Sequence, residues 1–374
     1  MPNILPPAPI PLRPALVACC LLILLLGAML APGPARAHPT GAPSANIQGG
    51  ISGPVQLRIA SFFPVDMPVL GRAALDLAER VERMSGGTLR LSIASPSAAA
   101  PALDIIVEMN HGAIDGVWAA AGWYAQRDSA FGLLTGMPFG PTPDEYLAWY
   151  FYGGGRELAQ DLYRPYDVHN ILCGIIPSEA SGWFPREMTS ADDLAGLRMR
   201  FFGFGAQVMQ RFGVEVVLLG PEQMFEAVES GRIDATEFSL PSMDVPLGLH
   251  KILKYYYFPG WHQPATLINL YLPRPVWVGL PDRHKAVLEA GCGDMIRQTL
   301  AEGEAVQAQA LRAIAAEGVE LHRWPAEMLV AFETAWQAVV AEESRLNPNF
   351  ARVYASLAKF RADRQQWRHF RFLQ

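Results

Sequence analysis

The stretch that decides the fold runs from Asp193 to Glu237. It opens on Leu194-Ala195-Gly196-Leu197-Arg198-Met199-Arg200 and closes on Gly231-Arg232-Ile233-Asp234-Ala235-Thr236-Glu237. Its first part reads as a loop entering a strand, with Met199 and Phe201 on one face and Arg198 and Arg200 on the other. Phe202-Gly203-Phe204-Gly205 breaks that strand, and residues 206–212 are long enough for two helical turns. Residues 214–219 form a β-branched run that predicts a buried strand. A helix over 221–230 follows, begun by Pro221 and Glu222 and stopped by Gly231. The last strand, 233–238, carries Glu237 at its end. The stretch is therefore a β-α-β-α-β unit, with Arg200 and Glu237 at the carboxyl ends of neighbouring parallel strands. Open α/β sheets bind their ligands at that edge.

The same order recurs upstream. Residues 57–63 alternate as a strand, 69–85 have helical periodicity ending at Gly86-Gly87, and 89–94 form a second strand. A helix over 102–111 is closed by Gly112, and 114–119 form a third strand. Gly112-Ala113-Ile114-Asp115-Gly116 echoes Gly231-Arg232-Ile233-Asp234-Ala235. Two similar units imply two lobes with a ligand cleft between them. Trp118, Trp123 and Tyr124 follow a strand's carboxyl end and are candidates for the cleft wall. The other aromatics of 131–152 read as core packing.

Residues 170–177 read as a buried strand crossing to the second lobe, with Glu179 at its exit. Residues 255–263, Tyr-Tyr-Tyr-Phe-Pro-Gly-Trp-His-Gln, lead back through a strand over 267–272. A long helix over 281–317 contains Gly291-Cys292-Gly293, which should weaken or bend it. Helices over 325–344 and 348–370 complete the chain. The lobes implied are 53–176 with 264–300, and 177–263 with 301–374.

At the N-terminus, Arg13 precedes an apolar run from Ala15 to Ala31, and Ala35-Arg36-Ala37 offers a small-residue cleavage site. Residues 1–37 are expected to be a removable export signal, the alternative being a membrane anchor. Residues 38–52 are a Pro/Gly/Ser/Ala tether. Loss of Arg13 and Arg36 takes the formal charge from −6 to −8. An acidic chain with no lysine or arginine run longer than two residues does not read as a nucleic-acid binder. Cys173 and Cys292 remain after cleavage and are expected to be separate buried thiols.

The Gly-Leu-Arg-Met-Arg and Gly-Arg-Ile-Asp-Ala-Thr-Glu segments, together with the triple tyrosine and Pro-Gly-Trp, resemble the solute-binding proteins of tripartite ATP-independent periplasmic (TRAP) transporters. The match is closest to the branch that binds 2-oxo acids and related monocarboxylates. It implies a two-lobed α/β periplasmic receptor, with a long helix spanning both lobes and transporter membrane subunits as partners. A second copy of the chain, paired through the C-terminal helix 348–370, is a further candidate partner.

Alternation along the strand cannot choose between Arg198 and Arg200, and the resemblance assigns the carboxylate-binding role to Arg200. It also implies a bridging sodium or calcium ion held by Glu237, the Phe238 carbonyl, Glu179 and Gln263, with Phe238, Trp261, Trp123 and Tyr124 around the acid. Bare carboxylates would otherwise repel a carboxylate ligand. The alternative is that Glu179 faces solvent and Glu237 alone lines the cleft, paired with Arg200. The chain departs from the branch's pattern in three places. Glu179 and Gln263 exchange the usual residue types, Phe238 replaces a common tryptophan, and Phe184 stands where a second arginine is usual, with Arg186 displaced. No hydrolase or dinucleotide motif is present and no organic cofactor is implied. A secreted glycosidase using Glu179 and Glu237 is the enzyme-class alternative.

Overall fold

The computed structural model of the chain describes residues 53–95, 109 and 112–371. The expected signal, the tether, and the helix over 102–111 apart from Met109 lie outside the described residues. In chain order the elements are β1 (Val55–Ser61), α1 (Leu70–Met84), β2 (Leu89–Ala94), β3 (Gly116–Ala119), α2 (Pro143–Tyr152), α3 (Gly155–Tyr163), β4 (Val168–Ile176), β5 (Gly182–Phe184), β6 (Arg198–Arg200), α4 (Gly203–Gln210), β7 (Glu215–Val217), α5 (Pro221–Glu229) and β8 (Ala235–Thr236). They continue as α6 (Pro241–Leu247), β9 (Tyr255–Phe258), β10 (Thr266–Pro273), α7 (Asp282–Ala305), α8 (Gln307–Ala316), β11 (Glu320–Arg323), α9 (Ala326–Leu346), α10 (Pro348–Asp363) and α11 (Gln365–Arg371), with shorter turns between them.

Two sheets result, each flanked by helices, and each forms one lobe. The first has the order β2-β1-β3-β10-β4 and the second β11-β9-β5-β8-β6-β7. Within each lobe the repeated unit supplies parallel pairs: β1 with β2 and β3, and β6 with β7 and β8. The return strand β10 runs antiparallel to β3 and β4. The chain passes between sheets at 177–181 and again at 259–265, so these two crossings face the carboxyl ends of the parallel strands.

The sequence echo has a physical cause. Asp115 accepts from the backbone N–H of Arg58 at 2.8 Å and from its Nε at 2.9 Å. Asp234 takes the same two donors from Arg198, at 2.9 and 3.0 Å. Each aspartate clips the start of one parallel strand to its neighbour. The glycines ahead of them, Gly112 and Gly231, have φ of +75° and +69°, a conformation glycine adopts without a Cβ penalty.

Three sequence expectations change. Beyond Val214 the run 214–219 is not buried: β7 ends its sheet with β6 as its neighbour, and Val217 and Leu218 are exposed. Apolar composition alone does not separate an edge strand from a central one. The long helix passes through its glycines unbroken and is interrupted at Val306 instead. Gly291 serves close approach, since a Cβ there would lie 3.2 Å from Leu77 Cδ1 of α1. Next to it, Cys292 is disulfide-bonded to Cys173 of β4, so the two thiols are joined rather than separate. Thr299 tightens the same helix–strand contact, its hydroxyl bonding Ile175 N and O, each at 3.0 Å.

The long helix spans both lobes, α7 lying along β4 and α1 while α8 packs on α6. Of the C-terminal helices, α9 packs on α4 of the second lobe, and α10 lies on α3 and α2 of the first. Asn347 caps α10, its Oδ1 accepting from Asn349 N at 2.9 Å, while its Nδ2 donates to Asp128 at 2.7 Å. Among the described residues no helix is long and apolar enough to cross a membrane.

Candidate functional site

Arg200 ends β6 and is 1 % exposed. Its Nη1 donates to Glu237 Oε2 at 2.9 Å and also to the Glu237 carbonyl, and its Nε donates to the Leu219 carbonyl at 3.2 Å. The guanidinium stands 5.5 Å from the Phe238 ring centroid. Arg198, two residues earlier on the same face, has its side chain 43 % exposed and is paired with Asp234 at 2.6 Å. That pair is the strand clip described above, and Arg198 holds the Asp234 carboxyl below the usual carboxylate range. Depth along the strand, which alternation does not encode, separates a structural arginine from a buried one.

Glu179 occupies the first crossing and is buried rather than solvent-facing. Its Oε1 accepts from Thr266 Oγ1 at 2.7 Å and from Gln263 Nε2 at 3.3 Å. Gln263 sits in the second crossing and also donates to Thr266 Oγ1 at 2.7 Å. Glu237 Oε2, besides its bond to Arg200, accepts from Phe202 N at 3.1 Å. Each carboxylate thus has one oxygen committed to the protein. Among the described residues the other two oxygens, Glu179 Oε2 and Glu237 Oε1, have no hydrogen-bond partner, and neither do Gln263 Oε1 or the two ring nitrogens of His262. His262 Nε2 stands 3.4 Å from Glu237 Oε1 and 3.8 Å from Glu179 Oε2.

Burial, and then the charge of Glu237, push the Glu179 carboxyl well above its ordinary range. An unsatisfied buried polar group costs about 1–3 kcal/mol, more when charged. Several gathered at one place indicate a site completed by something else. The donor set fits a cation: hard carboxylate and amide oxygens around a charge deficit.

Behind the site, Asp244 accepts from Trp183 Nε1 and from Tyr256 Oη, each at 2.8 Å, and from Ser239 N at 3.3 Å. Burial raises its carboxyl to about 6. Trp183 and Tyr256 stack at 3.8 Å between ring centroids. Asp244, His262 and Thr266 were not singled out from sequence. For His262 and Thr266 the one signal was position, inside the Trp-His-Gln run and at the start of the return strand; Asp244, 11 residues before the triple tyrosine, carried none.

The aromatics divide. Trp123 packs on Phe62 and on Phe202, 4.6 Å away across the lobes, and so closes over the residue that donates to Glu237. Phe238 lies against the guanidinium. Trp261 stacks on Phe332 at 4.6 Å and faces Phe139 at 5.8 Å, in an aromatic layer joining elements of both lobes. Tyr124 ends the turn Ala121–Tyr124 with its ring edge-on to Tyr271 at 6.1 Å, and its buried hydroxyl has no hydrogen-bond partner among the described residues. Trp118 is core, its indole donating to Leu70 O at 2.9 Å. Arg186 pairs with Asp193 at 3.4 Å on an exposed loop and supplies no second arginine.

Comparison with known proteins places this geometry. The model of the bacterial extracellular solute-binding proteins, family 7, matches residues 60–345. A monocarboxylate 2-oxoacid-binding periplasmic protein of Nostoc sp. is 27% identical over 324 residues, covering 87% of this chain and 88% of the relative. A TRAP transporter solute-binding protein from Bordetella bronchiseptica superposes with a TM-score of 0.82 at 30% identity, covering 84% of this chain and 94% of that one. Its crystal structure is a mixed-occupancy dimer with copurified calcium and picolinate in one active site and the other apo. A TRAP periplasmic solute-binding protein from Pseudoalteromonas atlantica, with bound sodium and pyruvate, has a TM-score of 0.80 at 28% identity, covering 85% of this chain and 97% of that one. These are transport receptors, and the glycosidase alternative falls with them.

Proposed function

Because the chain belongs to the bacterial extracellular solute-binding proteins of family 7, we propose that it captures a small 2-oxo or 2-hydroxy monocarboxylate with a cation and hands the acid to the membrane subunits of a TRAP transporter. The observation that carries this reading is the pair of unpartnered carboxylate oxygens, Glu179 Oε2 and Glu237 Oε1, sealed beside Arg200. With both carboxylates ionised, Glu179, Glu237 and Arg200 sum to a negative site, and an incoming carboxylate would worsen it. A bound cation supplies the missing positive charge and takes oxygen ligands from the protein and the acid together. The residues to hold it are Glu179, Glu237, Gln263 and the carbonyl of Phe238, and sodium and calcium are the ions this oxygen set suits.

Arg200 binds the acid's carboxylate through Nη2, the guanidinium nitrogen that its bonds to Glu237 and Leu219 leave uncommitted. Its bonds to Glu237 and Leu219 fix the guanidinium plane beforehand. Phe238 bounds the pocket on the second lobe, and Trp123 closes it from the first. We take the lobes to be 53–176 with 264–300 and 177–263 with 301 onward, α10 returning to the first. Ligand contacts to both then favour the closed form that the membrane subunits recognise. Export by cleavage of residues 1–37, action in the periplasm, and pairing of two copies through the C-terminal helix belong to the same proposal.

A thermal-shift panel of small 2-oxo and 2-hydroxy acids, each with sodium, with calcium or with neither, tests it. A cognate acid at a hundredfold excess over its Kd stabilises by about 2.7 kcal/mol. The expected result is a shift for a monocarboxylate that needs the cation. A shift confined to sugars, amines or dicarboxylates would refute the substrate class.

A further inference from the structure

Resting on the cation reading above and sharpening it, we infer that His262 is itself a ligand of the bound ion. The cleft is then a mixed nitrogen–oxygen centre suited to a borderline divalent metal of the zinc or cobalt type, and not an all-oxygen site alone. The committed oxygens carry the argument. Glu179 Oε1 is held by Thr266 and Gln263, and Glu237 Oε2 by Arg200 and Phe202 N. These bonds turn the remaining oxygen of each carboxylate toward the same imidazole nitrogen, at 3.8 and 3.4 Å. Such outer bonds are what orient carboxylate ligands around a metal.

Both separations exceed a good hydrogen bond, whose N···O distance is about 2.7–3.2 Å. They match ligand-to-ligand spacing instead. Two ligands each about 2.1 Å from one ion at a tetrahedral angle lie about 3.4 Å apart. One ligand atom from each of Glu179, Glu237 and His262 falls within 4.8 Å of the others. The His262 side chain is fully buried, and neither ring nitrogen has a hydrogen-bond partner among the described residues. Packing fixes the ring: Phe201 meets it edge-on at 5.0 Å, and a Cβ on Gly205 would lie 2.8 Å from His262 Cβ. Imidazole nitrogen suits zinc, cobalt, nickel and copper and is a poor partner for calcium or sodium. The amide oxygen of Gln263 or an oxygen of the acid fills a fourth position.

The test uses the full mature chain, stripped with chelator. It is titrated with Co²⁺, Zn²⁺ or Ca²⁺ alone, followed by visible absorption for cobalt and calorimetry for all three. Wild-type protein is expected to give the visible bands of a low-coordinate cobalt centre, displaced by zinc. X-ray absorption at the metal edge is expected to show imidazole scattering, which needs no variant. His262→Gln and His262→Asn are expected to lose the cobalt bands and to weaken zinc at least about 10-fold while moving calcium much less. Half-buried His322, beside Glu187 and Glu320, is the control for adventitious metal, and His322→Gln is expected to leave the bands intact. Absence of imidazole scattering, or cobalt and zinc affinities unchanged in a folded His262→Gln protein, overturns the inference. If calcium or sodium still supports acid binding in that case, the cation reading stands without it. If the acid binds with no ion at all, both fall.

Discussion

Replacing Arg200 by alanine separates the two arginines that sequence alternation left equal. Arg200 is 1 % exposed, and its Nη1 lies 2.9 Å from Glu237 Oε2. Its loss removes the acid's charged partner and also strands Glu237. Truncating one member of a buried, hydrogen-bonded charge pair costs about 2–5 kcal/mol in affinity, or roughly 30- to 4,000-fold in Kd. The stranded carboxylate costs the fold about 3–5 kcal/mol as well. Calorimetry with the cognate acid and cation reads the first number, and denaturant unfolding of the ligand-free protein reads the second. Glu237→Gln in the Arg200→Ala background is expected to recover part of the stability but not the affinity, because it removes the unpaired charge without restoring the donor. Arg198→Ala is the internal comparison. That pair is partly solvent-exposed, so its loss costs the fold little and leaves acid binding alone. Wild-type affinity in folded Arg200→Ala protein, or an equal loss in Arg198→Ala, refutes the assignment.

Gly260→Ala places a Cβ 2.2 Å from the Glu179 carbonyl oxygen, which is backbone and must move. Overpacking of this kind costs about 1–3 kcal/mol, and cation affinity measured by calorimetry should fall although no ligand is altered. Asp244 has its carboxyl raised to about 6, above the unfolded value near 3.9, so the stability it contributes is present at low pH and lost as pH rises through about 6. Denaturant midpoints across pH 4–7 should show a decline that is reduced in Asp244→Asn, and an unchanged slope would contradict it. Removing the Cys173–Cys292 disulfide, which closes a sequence separation of 119 residues, should destabilise by about 2–5 kcal/mol with the acid's Kd retained. A matching loss of affinity would show that the bond shapes the site.

What the sequence made legible was whatever local chemistry determines. Gly231 stops α5 where the backbone turns left-handed, as it also does at Gly112, and the parallel units follow from strands spaced around those glycines. Arg200 and Glu237 were readable because a strand's carboxyl end is a position along the chain. His262 was not, since its neighbours Glu179 and Glu237 come from a different crossing and a different strand. Only the closing of two sheets brings them within 4 Å of it. The disulfide escaped for the same reason, one cysteine lying on a strand and the other on a helix far along the chain. The short edge strand β11, Glu-Leu-His-Arg, is mostly exposed and carries no alternation of burial to detect.

The central claim is that an acid and a cation share one buried cleft. It is tested most directly by titrating the cognate acid into chelator-treated, sodium-free protein and repeating the titration after the ion is restored. Saturable binding is expected only with the ion present, with a changed ion preference in Glu179→Gln protein, because that variant removes one of the two unpartnered carboxylate oxygens. Equal affinity with and without the ion would leave a simple arginine–carboxylate receptor and contradict the account.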